Sequence, residues 1–99
     1  MNEFSMKTTS AIRRPMLSRH ARYRWDRLRQ QHQLVFPEGV LVLNESGAAI
    51  VRYCDGRPLG EIVAALEAQF KDAPLKTDVP AFLERLIEKG LVIDAPFVP

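Results

Sequence analysis

Cysteine is nearly absent from the 99-residue sequence, which contains Cys54 alone. A single cysteine cannot form a disulfide within the chain, and this usage fits a protein of the reducing cytoplasm. Histidine is scarce as well: His20 and His32 are far apart in the chain, and neither is near Cys54 in a ligand-like spacing. Because a zinc site takes about three or four protein ligands, the sequence predicts no metal site.

Long apolar runs and phosphate-binding loops are missing too. No stretch approaches the roughly 20 apolar residues of a membrane-spanning helix, and the first residues lack the apolar segment of a secretory signal. The five glycines do not form a phosphate-binding loop. Acidic pairs such as Glu84 and Glu88 are one turn apart on a predicted amphipathic helix, where a solvated face is the ordinary explanation. We therefore expect no membrane association, no cofactor and no enzymatic activity.

The two signs of charge are unevenly distributed along the chain. Residues 1–29 carry eight Lys or Arg and two acidic residues, whereas residues 30–99 carry six basic and ten acidic residues. A basic first third followed by an acidic remainder favours a polyanion-binding arm or a surface for an acidic protein partner. A solvated, arginine-rich lead-in is the simpler alternative.

Three short segments have the pattern of strands. After a flexible tail predicted for residues 1–15, Tyr23 and Trp25 alternate with charged neighbours, as in a half-buried strand. A polar connection leads to a second predicted strand, Gln33–Phe36, and a tight turn leads to a third, Val40–Leu43. Together they predict a small antiparallel meander.

The third strand, Val40–Leu43, has no polar residue at alternate positions. The turn before it, Pro37-Glu38-Gly39, is expected to use a positive φ at Gly39 in a three-residue hairpin. In a three-stranded meander this strand is an edge, and a flat apolar edge invites pairing with another strand. Either the helices and the chain's own tail cover it, or a partner peptide adds to it as a fourth strand beside the third helix.

Two helical patterns follow the strands. In the first, Asn44 is a good N-cap, Glu45 suits the positive end of the helix dipole, and Asp55-Gly56 is expected to end the helix. The second is predicted from an apolar stripe at helical spacing, which comprises Leu59, Ile62, Val63, Leu66 and Phe70.

A third helix is predicted to start with Thr77 or Asp78 as its cap, to carry Pro80 in its first turn and to end at Gly90. An extended segment, Leu91–Ile93, follows it. The predicted fold is therefore α+β: a small three-stranded antiparallel sheet followed by three helices, with a winged-helix-like outline.

Several stretches together resemble one known family. Asp26 with Arg29 is followed by LVFPEGVLVLN, AAIVRYCDG, GEIVAAL and FLERLIEKGLV, and this series is similar to the PqqD family of pyrroloquinoline quinone biosynthesis. The resemblance implies a peptide-recognition domain over residues 16–93, with residues 94–99 as a C-terminal tail. It also implies a peptide chaperone that binds the precursor peptide PqqA and delivers it to the radical S-adenosylmethionine enzyme PqqE.

The resemblance also implies a binding groove between the third strand and the third helix, the latter at about Asp78–Lys89. The sequence departs from the family pattern at Gly47 and Pro58, where relatives often have Thr, and neither position is expected to touch the groove. The peptide-binding residues expected from the strand and the resemblance are Val40, Leu41, Val42, Leu43, Phe82, Arg85 and Leu86.

The basic first third suggests a separate role in binding the modifying enzyme. If the first predicted strand is the opposite edge of the sheet, its arginines lie away from the groove. Docking of PqqE is therefore expected to involve Arg13, Arg14, Arg19 and Arg22.

Two further readings stay open. A winged-helix DNA-binding protein is the alternative function, although Asp78, Glu84 and Glu88 on the predicted third helix outnumber Arg85 and Lys89 and make a poor surface for phosphate. The exposed edge strand also makes a homodimer by strand exchange possible.

Overall fold

The computed structural model describes residues 12–95, and the rest of the two predicted tails lies outside these residues. These residues form a three-stranded sheet, three helices and a two-stranded ribbon. In chain order the elements are β1 (Pro15–Leu17), β2 (Arg22–Asp26), β3 (Gln31–Phe36), β4 (Gly39–Leu43), α1 (Glu45–Arg52), α2 (Leu59–Gln69), α3 (Leu75–Glu88) and β5 (Val92–Asp94).

The three-stranded sheet has the order β2-β3-β4, and both of its strand pairs are antiparallel. The expected α+β fold with three strands and three helices is confirmed. The expected turn geometry is wrong: Gly39 pairs with Phe36 at the start of β4, so the turn has two residues, Pro37 and Glu38, and Gly39 has no positive φ. A two-residue turn leaves Gly39 in the ladder, where extended backbone is required.

The turn between β2 and β3 is built around the buried carboxylate of Asp26. Its Oδ1 accepts hydrogen bonds from the backbone N–H groups of Leu28 at 3.0 Å and Arg29 at 3.2 Å. Its Oδ2 accepts from the Arg29 guanidinium at 3.2 Å and from the Gln33 amide at 3.0 Å. A carboxylate with four donors is well satisfied despite being only 3% exposed. Asp26 therefore fixes the hairpin that holds β3 in the middle of the sheet.

Helix α1 begins where the sequence predicts, with Asn44 as its N-cap. The Asn44 side chain accepts a 2.7 Å hydrogen bond from the N–H of Gly47. The helix ends at Arg52, earlier than the expected Asp55-Gly56. Cys54 is already past the helix and is 5% exposed. Burial, with a smaller contribution from the Asp55 carboxylate, raises the pKa of its thiol to about 12, so the thiol stays protonated and packs as a small apolar group.

Helix α2 has the predicted apolar face, and Ile62 and Leu66 are both buried. Pro58 precedes it and supplies no side-chain cap. The first N–H of the helix, that of Leu59, donates instead to the carbonyl oxygen of Arg13 at 2.8 Å. A distant segment of the chain thus takes the role that a capping side chain usually has.

Helix α3 begins earlier than predicted, at Leu75, so neither Thr77 nor Asp78 is its cap. Leu75 is 4% exposed and continues the buried face of the helix, so packing decides where the helix begins. Pro80 consequently lies in the second turn rather than the first. It cannot donate to the carbonyl of Lys76, but Lys76 is exposed, so water can satisfy that group.

The end of α3 matches the expectation at Gly90, which has φ 75°. The N–H of Gly90 donates to Ile87, and the N–H of Leu91 reaches back to the carbonyl of Leu86 at 2.9 Å. This is the pattern of a Schellman motif, in which a left-handed residue satisfies the last carbonyls. It turns the chain sharply into β5.

The ribbon β1-β5 is the element that the sequence did not predict. Pro15–Leu17 pairs antiparallel with Val92–Asp94, so the expected boundary between tail and domain at residues 15 and 16 lies inside a strand. The Asp94 carboxylate accepts hydrogen bonds from the N–H groups of Arg13 at 3.2 Å and Arg14 at 2.7 Å. Each strand is only three residues long, too short for a periodic pattern.

The helices pack against one face of the three-stranded sheet. Cross-strand partners share a face, so Leu41, Leu34 and Tyr23 lie in one row on this side. Tyr23 is half-buried here, whereas Trp25 is 43% exposed. The largest fully buried side chains of the core are Leu34, Ile62, Leu66, Leu83, Leu86, Leu91, Val51, Val79 and Val92.

We expect Asp26→Asn to lower the melting temperature at neutral pH and to matter less in acid. The N–H of Arg29 above all, helped by the Arg29 guanidinium and the N–H of Leu28, holds the pKa of Asp26 below its ordinary value of 3.8 against the opposing effect of burial. The stabilisation is therefore present above about pH 4 and is lost as the pH falls through the lowered pKa.

Thermal unfolding of the wild type and the variant from pH 7 to pH 2.5 measures this difference. Asp72→Asn, at an exposed carboxylate after α2, is the matched control and should cost little at neutral pH. A gap in melting temperature that stays constant down to pH 2.5 would contradict the assigned role of Asp26.

Candidate functional site

A groove with a volume of about 690 Å³ lies between β4 and α3, with the first turns of α1 at its side. It is partly open to solvent. The residues that line it are Leu41, Val42, Leu43, Asn44, Ser46, Gly47, Ile50, Asp78, Ala81, Phe82, Arg85, Leu86 and Lys89.

The strand beside the groove has a free edge. Among residues 12–95, β4 pairs with β3 alone. A two-residue hairpin closes on a hydrogen-bonded pair, here Phe36 and Gly39, and hydrogen-bonded and non-hydrogen-bonded pairs then alternate. On this pattern Leu41 turns its N–H and C=O towards β3. Val40 and Val42 turn theirs outward, where a further strand could pair with them.

Side chains of β4 alternate between the two faces of the sheet. Leu41 is half-buried and Leu43 is 5% exposed, and both line the groove. Val40 and Val42 are 51% and 57% exposed on the opposite face. Val42 adjoins the groove at the strand edge, whereas Val40 does not line it. What Val40 and Val42 can contribute to binding beside the groove is therefore their outward N–H and C=O groups rather than their side chains.

Helix α3 forms the far wall. Phe82 is half-buried, and the guanidinium of Arg85 lies 5.6 Å from the centroid of its ring, within cation–π range. Leu86 borders the groove but is only 1% exposed. Phe82 and Arg85 are therefore the accessible wall, and Leu86 is part of the floor that belongs to the core.

The first turns of α1 complete the groove, and sequence reasoning missed them. Gly47 lines it, contrary to the expectation that this departure from the family pattern lies elsewhere. A Cβ at Gly47 would sit 3.4 Å from the Phe82 ring and 3.0 Å from Asn44 Oδ1. Glycine thus lets the ring lie against the start of α1. The sequence did contain a signal for this contact: the N-cap Asn44 directly follows Leu43, so α1 has to start at the end of β4.

The charges on the groove come from α3. Asp78 lies near the start of the helix, with Arg85 and Lys89 towards its end. Asp78 and Lys89 were not predicted as groove residues. Asp78 is four residues before Phe82 and Lys89 is four residues after Arg85, so extending that stripe by one turn in each direction would have found both.

The basic residues expected to bind an enzyme are not all in one place. Arg22 is exposed on β2, which is the edge opposite β4, as that hypothesis assumed. Arg13 and Arg14 flank the ribbon instead, and the guanidinium of Arg14 donates a 3.2 Å hydrogen bond to the carbonyl oxygen of Gly56. Arg19 is exposed in the turn after β1.

Groups of three or more His, Cys, Asp and Glu side chains that could hold a metal ion are absent from residues 12–95. In the same span, none of the helices has both the length and the apolar character needed to cross a membrane.

The site consists of a row of main-chain donors and acceptors beside an apolar groove with charged ends. That arrangement suits an extended peptide.

Comparison with known proteins identifies the family. The sequence model described as "Coenzyme PQQ synthesis protein D (PqqD)" matches residues 31–92. The chain belongs to the PqqD family. Within it, the chain is 40% identical over 77 residues to a "PqqA binding protein" of Stutzerimonas stutzeri (strain A1501), covering 76% of this chain and 84% of that protein. A "PqqA binding protein" of Rhodopseudomonas palustris (strain TIE-1) is 36% identical over 91 residues, 89% of each chain.

A solved structure supports the fold. The solution structure of the PqqD part of Methylobacterium extorquens PqqCD, described as a recognition element for ribosomally synthesised and modified peptides, superposes with a TM-score of 0.68. It is 28% identical and covers 81% of this chain and 88% of that one. The family resemblance seen in the sequence is confirmed. So is the prediction of a protein that is not an enzyme, since these relatives are named for binding a peptide and the matched structure is described as a recognition element.

We expect Leu86→Ala to act mainly on folding. Removing a side chain that is 1% exposed leaves a cavity, which should lower the free energy of unfolding by about 2–5 kcal/mol. Arg85→Ala, one position away and exposed, is the matched control and should change stability by no more than about 0.5 kcal/mol. Urea denaturation of both variants measures the difference. A loss below about 1 kcal/mol for Leu86→Ala would mean that Leu86 belongs to an adjustable groove surface rather than to the core.

Proposed function

We propose that this chain is a non-enzymatic peptide chaperone of pyrroloquinoline quinone biosynthesis, which binds the precursor peptide PqqA by strand addition and presents it to the radical S-adenosylmethionine enzyme PqqE. The observation that carries the proposal is the free edge of β4 beside a groove walled by α3. Relatives named PqqA binding proteins support the identity of the peptide. The proposed location is the cytoplasm, where the single thiol of Cys54 stays reduced.

Strand addition uses two kinds of contact. The outward N–H and C=O groups of Val40 and Val42 pair with the peptide main chain, which provides affinity for any sequence. The peptide side chain opposite Leu41 shares the face of Leu41 and enters the groove towards Phe82 and Arg85. Leu43 and Leu86 lie below as the apolar floor. Register is therefore set by which peptide side chains fit this groove.

Presentation to PqqE requires a second surface. We propose that Arg13, Arg14, Arg19 and Arg22 contribute to it. Arg22 is on β2, the edge opposite the groove, and the other three are just before or just after β1. Their positive charge would attract an acidic enzyme surface and speed its association. Arg14 contributes through a guanidinium that is already held at Gly56, and Arg22 through one that is exposed on the sheet.

DNA binding is the less favoured function, and salt dependence separates it from peptide binding. Binding that neutralises phosphates weakens steeply as salt rises, whereas main-chain pairing along β4 should depend little on it. The groove wall on α3 carries Asp78 as well as Arg85 and Lys89, which is unfavourable for a nucleic-acid backbone.

The free edge of β4 could also pair with a second copy, so a homodimer by strand exchange is expected to compete with the peptide.

Hydrogen exchange tests the strand addition directly. In the free protein the amides of Val40 and Val42 face outward and should exchange quickly, whereas that of Leu41 is bonded to β3 and should exchange slowly. Saturation with PqqA should protect the first two and leave the third unchanged. Unaltered exchange at Val40 and Val42 in the saturated complex would rule out pairing at this edge.

A main-chain substitution provides the second test. Val42→Pro removes an N–H that points away from β3, a position where an edge strand tolerates proline. We expect at least about a tenfold loss of PqqA affinity, about 1.4 kcal/mol, measured by titration calorimetry. Val42→Ala keeps the N–H and is the matched control, with an expected change of about threefold or less. Circular dichroism establishes that both variants are folded, and equal affinities would contradict the main-chain contact.

A further inference from the structure

The three-stranded sheet has a second face, turned away from the helices. Cross-strand pairing places Arg24, Gln33 and Val42 in one row of this face, and Arg22, Val35 and Val40 in the next. We call these six residues the outer face. The register of the two hairpins fixes them on one side, because directly opposed residues in an antiparallel sheet always project to the same side.

The outer face combines exposed apolar and basic groups. Val40 and Val42 on β4 are about half exposed, and Arg22 and Arg24 on β2 are exposed. Between them on β3, Val35 is half-buried and Gln33 is 6% exposed. Helix α1 contacts all three strands from the other side. An exposed apolar strip flanked by charge is typical of an interaction surface.

The charge of the outer face indicates the chemistry of its partner. The carboxylate on this side of the strands is that of Asp26, which is 3% exposed and bonded to Arg29 and Gln33. Arg22 and Arg24 are not in an ion pair with another of the residues 12–95. A partner that complements this face therefore carries acidic side chains opposite β2 and an apolar patch opposite β4.

A peptide bound to β4 extends the outer face. Peptide residues that pair with Val40 and Val42 share their side of the sheet, so their side chains continue the two rows. From Arg24 to the peptide residue beside Val42 is three strand spacings, about 14 Å. One protein surface can span that distance and contact the arginines and the peptide together.

We propose that the outer face and the alternate side chains of the bound peptide form one composite docking surface for an acidic patch on the enzyme that receives the peptide. The proposal rests on the proposed function and adds a mechanism of delivery. The enzyme binds more tightly when the peptide is in place, because it then touches both. By thermodynamic linkage, bound enzyme raises the affinity of the chain for the peptide by the same factor.

The test compares two double charge reversals in the full chain. Arg22→Glu with Arg24→Glu changes the outer face. Lys71→Glu with Lys76→Glu makes the same change in charge at exposed positions around the start of α3. PqqA and PqqE of the same organism are the probes. Affinities are measured by calorimetry for PqqA alone and for PqqE with and without saturating PqqA.

We expect the outer-face variant to bind PqqA within about twofold of the wild type. It should bind PqqE at least about tenfold more weakly at low salt, with a smaller difference at high salt as screening grows. The gain in PqqE affinity that PqqA confers on the wild type should fall in this variant. The control variant should keep both affinities and the gain.

The outcomes separate this proposal from the proposed function. If the wild type does not bind PqqA, the proposed function is wrong. If it binds PqqA and the outer-face variant binds PqqE like the wild type, or if PqqA confers no gain on the wild type, the composite surface is wrong and the chaperone function stands. A fall in melting temperature larger than in the control would mean that Arg22 and Arg24 stabilise the sheet itself rather than wait for a partner, which also overturns the proposal. Arg24→Gln, which keeps a long polar side chain, should reduce PqqE affinity in the same direction by a smaller factor, and no change would overturn it.

Discussion

The free edge of β4 is the feature on which the rest of this molecule depends. Its outward main-chain groups, at Val40 and Val42, have no neighbouring strand among residues 12–95. Exposed strand edges invite unwanted pairing, and proteins usually shorten, charge or cover them. Here the edge is apolar, and a groove of about 690 Å³ runs along it. Such an edge is a liability in an ordinary domain, and here it lies beside a groove walled by α3.

Three local features hold the elements around this edge in place. The Asp26 carboxylate fixes the β2–β3 hairpin through four hydrogen bonds. Asn44 follows β4 directly and caps α1, so the end of the strand and the start of the helix hold each other in place. The ribbon of β1 and β5 joins the two ends of the described chain and anchors the segment after α3. These contacts fix the positions of β4 and of the helices that line the groove.

The two faces of β4 lead to a division of labour. Leu41 and Leu43 point to the groove and the core, whereas Val40 and Val42 point to the outer face with its two arginines. A strand added at this edge would have the same alternation, with one set of side chains held by the groove and the other displayed. Under the proposed function, the chain would hold a peptide through one set of its side chains and leave the other set accessible to a second protein.

The sequence by itself determined the elements whose signal is local. The apolar run Val40–Leu43, the Asn44 cap and the stripe of α2 each depend on residues a few positions apart, and the groove between strand and helix was predicted with them. The start of α3 was misplaced because burial of Leu75, a tertiary contact, outweighs the capping preference of Thr77 or Asp78. The ribbon was missed because it joins three-residue segments from opposite ends of the domain. Only the tertiary structure decided that Gly47 lines the groove, that Leu86 is sealed beneath it and that Arg22 and Arg24 share a face with Val40, because each depends on which distant backbones pack together.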